Sequence, residues 1–346
     1  MKRIKSLDLA RGFTVLLIAP IHCMLLYSKP EVYTSLLGQL FAFIAEGPGA
    51  PLFMVLMGIS FALKEKYRFL DVLKKVAFIL LAGYGLNLIK FVIPYAGGWM
   101  PLGLQNDLQV PDRGGAWTLL GLGDILQFAG PALLVLYGVT RFRFYGCIAG
   151  ALAISIAWMS PLAWDAHSHQ PTLDYVLQLA TGKPPRTFFP LFPWLAYPLV
   201  GLAIGRVLKH DGPACFRYAG GWGLALIGIG VIFDFLYPNI PETTFYRTYP
   251  VDTACHIGIV LLALYSWDLL YRYIKPNHFL RVLTYSSKHI TQIYLIQWIL
   301  ISALLPVWGY QHLGLGATML VILPITGTVY LLSALINAGR NQGFTI

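Results

Sequence analysis

Long apolar stretches recur along the whole chain. About ten of them are near the length of roughly 20 residues at which a helix crosses a hydrocarbon core of about 30 Å. They lie near residues 9–28, 36–63, 72–94, 118–139, 142–162, 188–209, 217–237, 252–273, 281–305 and 312–337. The pattern predicts an all-α, polytopic integral membrane protein with about ten transmembrane helices.

The second stretch is too long for one straight span. It carries Gly47-Pro48-Gly49-Ala50-Pro51 at its middle. Proline removes a backbone donor and crowds the preceding turn of a helix. We therefore expect a kink or a broken helix at this point.

Composition excludes a water-soluble fold. Hydrophobic residues make up 57% of the 346 residues and charged residues only 12%. The formal net charge is +10, but no Lys- and Arg-rich tract with interleaved polar residues is present, so a nucleic-acid partner is set aside. The basic excess instead bears on orientation in the lipid bilayer.

Positive charge predicts a cytoplasmic N-terminus. With that orientation, 19 of the 25 Lys and Arg residues flank the spans on the inner side. The inner loops are short and basic. The outer loops near 95–117, 163–187 and 238–251 are longer and rich in Pro, Gly, Trp and Asp, so we expect a substrate mouth there.

No linker, low-complexity segment or clear repeat divides the chain, so we predict a single transmembrane domain over residues 1–346. The N-terminus lacks a small-residue cleavage site and is interpreted as a retained first helix. The membrane is predicted to be a bacterial cytoplasmic (inner) membrane. The sequence does not fix the oligomeric state, and a homodimer is one alternative.

Ionisable residues inside predicted spans are the main chemical signal, because an unpaired charge near the bilayer centre costs at least about 2.5–3.5 kcal/mol. Counting along each span places five of them in one layer of the outer half. These residues are His22, Glu46, Asp124, Asp252 and His256.

Each of these residues has a structural alternative to a chemical role. His22 alone is equally compatible with a hydrogen bond between helices. Asp252 and His256 share one helical face and either anchor a loop or act as a general base or acceptor-binding pair. Asp124 and Glu46 are expected to cap or pair structurally.

Arg11 lies at the cytoplasmic mouth of the first span. Asp8, three residues earlier, is a potential ion-pair partner on the same face. Such a pair orients a guanidinium for a defined ligand, whereas a simple positive-inside anchor needs no partner. His22 lies eleven residues after Arg11, about 16 Å along the axis.

Metal binding is not expected. His167 and His169 form an H-x-H with Asp165 nearby in an outer loop, but loops often contain such triplets. The four cysteines are scattered and form no C-x-x-C pair.

Several of these segments resemble one family. Arg3 to Gly12, followed by an apolar run to His22, resembles the start of the transmembrane acyltransferase superfamily, whose first helix has an Arg, ten residues and a His. Residues 50–58 (APLFMVLMG) and 189–205 resemble segments of its heparan-alpha-glucosaminide N-acetyltransferase-like branch. Residues 285–298 are also similar to it, with Gln297 where a His is common. The Arg-x-x-Arg of many acyltransferase-3 proteins is missing, which favours the glucosaminide branch.

The resemblance implies that an acetyl or other acyl group passes from cytoplasmic acyl-CoA to a sugar hydroxyl or amine on the extracytoplasmic side. Arg11, with Lys75 or Arg143, would bind the phosphates of acetyl-CoA. His22 would perform the transfer as general base or transient acyl carrier, and Asp252 with His256 would orient the acceptor or relay its proton. A pantetheine arm of about 15–20 Å matches the rise from Arg11 to His22.

Two other functions fit the same features. Ten helices with a polar layer also suit a transporter or flippase for a glycan or lipid-linked sugar. A non-catalytic scaffold would use the polar layer only for helix packing. Tolerance of both Arg11→Ala and His22→Ala would indicate the scaffold, and flux without CoA would indicate the transporter.

Overall fold

The computed structural model describes residues 4–64, 67–237 and 244–342. Arg3, the first residue of the N-terminal motif, and residues 238–243 of the predicted outer loop near 238–251 lie outside these ranges. Within them the chain is helical and forms no named strand. The prediction of an all-α, polytopic membrane protein is confirmed.

The helices follow one another with short connections. In chain order they are α1 (Lys5–Tyr27), α2 (Leu36–Ile44), α3 (Ala50–Leu63), α4 (Phe69–Asn87), α5 (Ile93–Ala96), α6 (Leu102–Asp107), α7 (Gly115–Leu120), α8 (Ile125–Val139), α9 (Tyr145–Ala163), α10 (Pro171–Thr181), α11 (Leu191–Trp194), α12 (Ala196–Asp211), α13 (Phe216–Leu236), α14 (Pro250–Tyr273), α15 (His278–Lys288), α16 (Ile290–Trp308) and α17 (Leu315–Gln342).

Eight segments in the described ranges are long and apolar enough to cross a membrane, and one of them, Leu191–Leu236, is 46 residues long and contains both α12 and α13. The apolar helix α8 is shorter. The exact number of spans and the cytoplasmic N-terminus therefore remain predictions.

Two π-helical turns interrupt the long spans. The first, Ala45–Gly49, joins α2 to α3 and lies at the predicted break around Pro48. The second, Leu88–Val92, joins α4 to α5 and was not predicted. Single π-helical turns inside α-helices are frequent at functional sites.

Two predicted boundaries are wrong. The fourth span does not run from 118, because Gly121–Asp124 separates α7 from α8 and α8 begins at Ile125. The ninth does not run continuously from 281, because His289 leaves the helical conformation between α15 and α16. The predicted outer loop near 163–187 stands, and it contains the amphipathic helix α10.

Backbone contacts divide the chain into two compact units. Unit 1 comprises Glu46–Gly85 and Gly121–Ile274 with the N-terminal stretch that ends at Leu7. Unit 2 comprises Asp8–Ala45, Leu86–Leu120 and Lys275–Ile346. The single domain over residues 1–346 stays a prediction.

Small residues hold the helices of unit 1 close together. A Cβ on Gly58 of α3 would lie 1.9 Å from the carbonyl oxygen of Pro198, and one on Gly201 of α12 would lie 2.0 Å from that of Val55. Without a hydrophobic driving force between helices in lipid, such close backbone approach is what allows them to pack. The glycines of the predicted family segments therefore serve the contact between α3 and α12.

Unit 2 is built around α1, which contacts α15 and α16 along its length. Ser287 donates to Asp8, Gln297 contacts His22, and Tyr27 donates to the carbonyl of Ile301. Residue numbers rise together on α1 and on α15–α16, so the two run parallel. A chain of ten alternating spans requires its first and ninth spans to be parallel, as these are.

Candidate active site

The two predicted ends of the α1 site lie on one continuous helix. Arg11 and His22 are both within α1, eleven residues apart. Eleven residues make slightly more than three full turns, so both side chains leave the helix on nearly the same face. Arg11 and His22, at the predicted spacing, therefore share one face of α1 in unit 2.

At the Arg11 end, the predicted ion pair is present. Arg11 Nη1 lies 4.0 Å from Asp8 Oδ1, and the hydroxyl of Ser287 donates to the same carboxylate oxygen at 3.2 Å. Asp8 is buried. A buried carboxylate held from two sides limits the positions that the guanidinium can take.

Gly12 sets how closely α1 approaches α15 beside this pair. A Cβ at Gly12 would lie 1.9 Å from the carbonyl oxygen of Leu283. No other residue leaves room for this approach, because every other side chain begins with a Cβ.

At the other end, the imidazole of His22 packs into a group formed by His22, Lys90, Gln297 and Trp298, here called the His22 cluster. The His22 ring lies over the indole of Trp298, with 4.0 Å between ring centroids and 32° between planes. Gln297 is fully buried, at 0% exposure. These residues come from α1, the π-helical turn Leu88–Val92 and α16.

The contact between His22 and Gln297 is made at Nδ1. The amide nitrogen of Gln297 lies 3.0 Å from Nδ1 and the amide oxygen 3.2 Å from it. An imidazole nitrogen donates in one tautomer and accepts in the other, so the amide can satisfy either. In both cases the contact fixes the imidazole through Nδ1.

Lys90 is a residue of this cluster to which the sequence alone assigns no role. It is one of the six Lys and Arg residues that the predicted orientation does not place on the inner side. In the structure it is 3% exposed, and its ammonium lies 3.9 Å from the centroid of the Trp298 ring. The signal was present, because Lys90 lies inside the predicted span 72–94, where a charge is costly.

The other predicted site residues lie in unit 1. Lys75 is on α4 and Arg143 precedes α9, and both are exposed. They are thus in a different unit from Arg11, and their part in donor binding stays a prediction.

Asp252 and His256 lie on α14, also in unit 1. Asp252 Oδ2 accepts from the backbone N–H of Tyr249 at 3.0 Å, which anchors the start of that helix. His256 Nδ1 lies 3.0 Å from the hydroxyl of the buried Tyr197, and its ring is near Phe245. The contact with Tyr249 fits the loop-anchoring alternative for Asp252, and both the structural and the chemical role of the pair stay predictions.

Asp124 acts as the predicted cap. It forms a capping box at the start of α8. The carboxylate of Asp124 accepts from the backbone N–H of Ile125 at 2.7 Å, and the side-chain oxygen of Gln127 accepts from the backbone N–H of Asp124 at 3.2 Å. Glu46 lies in the first π-helical turn. The five residues of the predicted layer thus divide between His22 in unit 2 and the other four in unit 1.

In the predicted outer loops, the main polar cluster surrounds Arg247 rather than the H-x-H of His167 and His169. Arg247 donates to the carbonyls of Thr181 and Gly182 and to Asp165 Oδ1, the last at 3.1 Å. This bond and the charge of Arg247 lower the pKa of Asp165. Across the described ranges, no three His, Cys, Asp or Glu side chains are placed to hold a metal ion.

A family model matches the chain from residue 3 to residue 231, about two thirds of its 346 residues, and is described as heparan-alpha-glucosaminide N-acetyltransferase, catalytic. The match contains Arg11, His22 and Lys90, whereas Gln297 and Trp298 lie beyond it. No curated protein and no solved structure matches the chain. The resemblance to the glucosaminide branch is confirmed, and the wider relation to acyltransferase-3 proteins stays a prediction.

Proposed function

Because the chain belongs to the heparan-alpha-glucosaminide N-acetyltransferase catalytic family, we propose that it transfers an acetyl group from cytoplasmic acetyl-CoA to an amino or hydroxyl group of a sugar or glycan on the extracytoplasmic side. Membership of this family supports acetyltransferase activity, and the apolar helices support a location in a membrane. The donor, the sidedness, the acceptor and the bacterial inner membrane are the parts that we add.

One observation carries the proposal: Arg11 and His22 lie on nearly the same face of α1, with an ion pair at one end and a buried polar cluster at the other. The rise between them is about 16 Å, close to the length of a pantetheine arm. Phosphates held by Arg11 would therefore present the thioester beside His22.

In this mechanism Arg11 binds the phosphates of CoA through charge-assisted hydrogen bonds. Asp8 and Ser287 hold the guanidinium for this purpose. Lys75 and Arg143 are proposed as additional phosphate ligands, because both are exposed bases next to predicted inner loops.

His22 is the proposed group that performs the transfer. The proposed mechanism uses the tautomer in which Nδ1–H donates to the amide oxygen of Gln297, so that the lone pair is on Nε2. Nε2 then removes the proton of the acceptor as a general base, or takes the acetyl group as a transient carrier. His256 with Asp252 is proposed to orient the acceptor or relay its proton.

The test of donor binding is thermal unfolding of the detergent-purified protein with and without acetyl-CoA. A ligand at about 100 times its Kd adds roughly 2.7 kcal/mol of apparent stability. We expect a clear rise in the midpoint for the wild type and a much smaller one for Arg11→Ala. Lys288→Ala, which removes a base from the C-terminal end of α15, is the matched control and should keep the full rise.

The transfer itself is tested with an α-glucosaminide that has a free amino group, by mass spectrometry of the acetylated product. Product that depends on acetyl-CoA and on the protein supports the proposal. The absence of both a stability shift and a product, with acetyl-CoA and with longer acyl-CoAs, would contradict the proposal. That result would favour the transporter or flippase.

A further inference from the structure

The indole of Trp298 contacts both a catalytic candidate and a buried charge. His22 and Lys90 each lie within 4.0 Å of its ring, measured from the imidazole centroid and from the ammonium nitrogen. The three side chains come from α1, the second π-helical turn and α16, segments far apart in sequence. Such convergence of polar groups inside an apolar helical unit is costly, and such groups in membranes are usually functional.

Trp298 has an unsatisfied donor at this point. The residue is 8% exposed, and in the described part of the chain its indole Nε1–H is buried without a hydrogen-bond partner. A buried tryptophan N–H normally has an acceptor. An orphaned donor beside His22 therefore indicates an acceptor atom that arrives with a ligand.

Lys90 owes its place to an irregular piece of helix. It is the middle residue of the π-helical turn Leu88–Val92. An ammonium carries three rotatable N–H donors, so it can donate to an oxygen while it faces an indole. The indole N–H points outward in the plane of the ring, and the ammonium lies over the ring face, 3.9 Å from its centroid. The flexible four-carbon side chain of Lys90 lets the ammonium turn towards an oxygen that the indole N–H binds.

We propose that the Lys90 ammonium and the Trp298 indole N–H together bind the carbonyl oxygen of the transferring acetyl group next to His22. The proposal rests on the function proposed above and adds the group that stabilises charge during transfer. Donors arranged in advance around a developing oxyanion, away from water, are a large source of rate acceleration.

The reaction step is as follows. The acceptor nitrogen or oxygen attacks the thioester carbon and gives its proton to His22, and the carbonyl oxygen takes up the negative charge. Lys90 and Trp298 donate to that oxygen. When the carbonyl re-forms, the carbon–sulfur bond breaks, and the CoA sulfur leaves with the electron pair and takes the proton from His22.

If His22 instead carries the acetyl group, the same oxygen becomes negative once on formation and once on breakdown of the acetyl-imidazole. Both routes therefore need the same two donors. Neither donor is required for binding the CoA phosphates, which are assigned to Arg11.

The experiment measures kcat and KM for acetyl-CoA with the amino-bearing α-glucosaminide, for Lys90→Met, Lys90→Arg and Trp298→Phe. Trp298→Phe keeps an aromatic face and removes only the N–H. We expect kcat to fall about 10²–10³-fold in Lys90→Met and at least about tenfold in Trp298→Phe. Lys90→Arg should recover part of the loss, and the stability shift with acetyl-CoA should stay within twofold.

Trp308→Phe is the matched control. Trp308 ends the same helix, and its Nε1 is also buried without a partner among the described residues. The proposal assigns it no part, so its variant should keep wild-type kcat.

Folded Lys90→Met or Trp298→Phe protein with kcat within about threefold of wild type would overturn the inference. If Lys90→Met does not fold, Trp298→Phe and Lys90→Arg decide in the same way. An inactive wild type, or a fully active His22→Ala, would instead refute the proposed function. An active wild type, an inactive His22→Ala and fully active Lys90 and Trp298 variants would refute this inference alone.

Discussion

Nδ1 of His22 lies 3.0 Å from the side-chain amide nitrogen of Gln297, across 275 positions of sequence. Gln297 occupies the position where the resembling family commonly has a His, and the sequence alone left its role open. In the structure it is the buried partner that fixes the imidazole. This contact therefore connects the first helix with the C-terminal part of the chain that the family model does not match.

Gln297→Ala should reduce kcat by at least about tenfold, because the imidazole loses the partner that sets its orientation and tautomer. The acetyl-CoA-induced rise in unfolding midpoint should persist, since the phosphates bind at Arg11. Steady-state kinetics and thermal unfolding together measure this. Gln292→Ala is the control, because Gln292 is on the same helix and donates to the carbonyl of Ser333. Equal kcat in both variants would show that Gln297 only packs.

Gly12→Ala should destabilise unit 2, because the added methyl would meet the carbonyl of Leu283 at 1.9 Å. Relieving such an overlap costs about 1–3 kcal/mol and moves α1 away from α15 beside Arg11. We expect a lower unfolding midpoint and weaker stabilisation by acetyl-CoA. Gly327→Ala on α17 is the control, since a Cβ there meets nothing within 4 Å. Equal midpoints for the two variants would contradict the packing argument.

Tyr197→Phe removes the hydroxyl that lies 3.0 Å from His256 Nδ1 in unit 1. If His256 orients the acceptor, the KM of the Tyr197→Phe variant for the α-glucosaminide should rise severalfold, and its KM for acetyl-CoA should not change. His256→Gln should raise the same constant further. Unchanged acceptor KM in both variants would leave Asp252 and His256 with structural roles only.

The bond between Asp165 and Arg247 should make stability depend on pH. Arg247 holds the pKa of Asp165 below its ordinary value, so the bond stabilises the fold above the pKa of the unfolded carboxyl and is lost as pH falls through the lower folded value. Because Asp165 is largely exposed, the effect is at most about 1 kcal/mol. The midpoint difference between wild type and Asp165→Asn should therefore be present at pH 6 and should shrink progressively as pH falls below about 4.

A double-mutant cycle isolates this bond. In an Arg247→Gln background, Asp165→Asn should have a clearly smaller effect at pH 6, because Lys183 at 3.9 Å is then the remaining ion-pair partner of Asp165. A midpoint difference that is the same with and without Arg247 would assign the pH dependence to another group.

The parts of the fold that could be predicted from sequence are those that depend on a local property of the sequence, such as the length of an apolar stretch or the presence of proline. Apolar length gave the spans, and the prolines and glycines around Pro48 gave the break, because each acts locally. One boundary was wrong although its signal is local. Asp124 and Gln127, three residues apart, form the capping box that begins α8 at Ile125, whereas the length of the apolar stretch alone placed the start at 118.

The candidate site could be predicted along one helix but not between helices. Arg11, Asp8 and His22 are related by spacing within α1, so the sequence fixes their common face. Lys90 and Trp298 reach His22 only through the packing of separate helices, and no spacing in one sequence encodes that. A lysine inside an apolar span was nevertheless a usable signal.

The most direct test of the account is acetyl transfer from labelled acetyl-CoA to the amino-bearing α-glucosaminide by wild type, His22→Ala and the exposed control His278→Ala. We predict product from the wild type and from His278→Ala. His22→Ala should give none above background, although acetyl-CoA still raises its unfolding midpoint. Wild-type turnover by His22→Ala would contradict the assignment of His22 and with it the central claim.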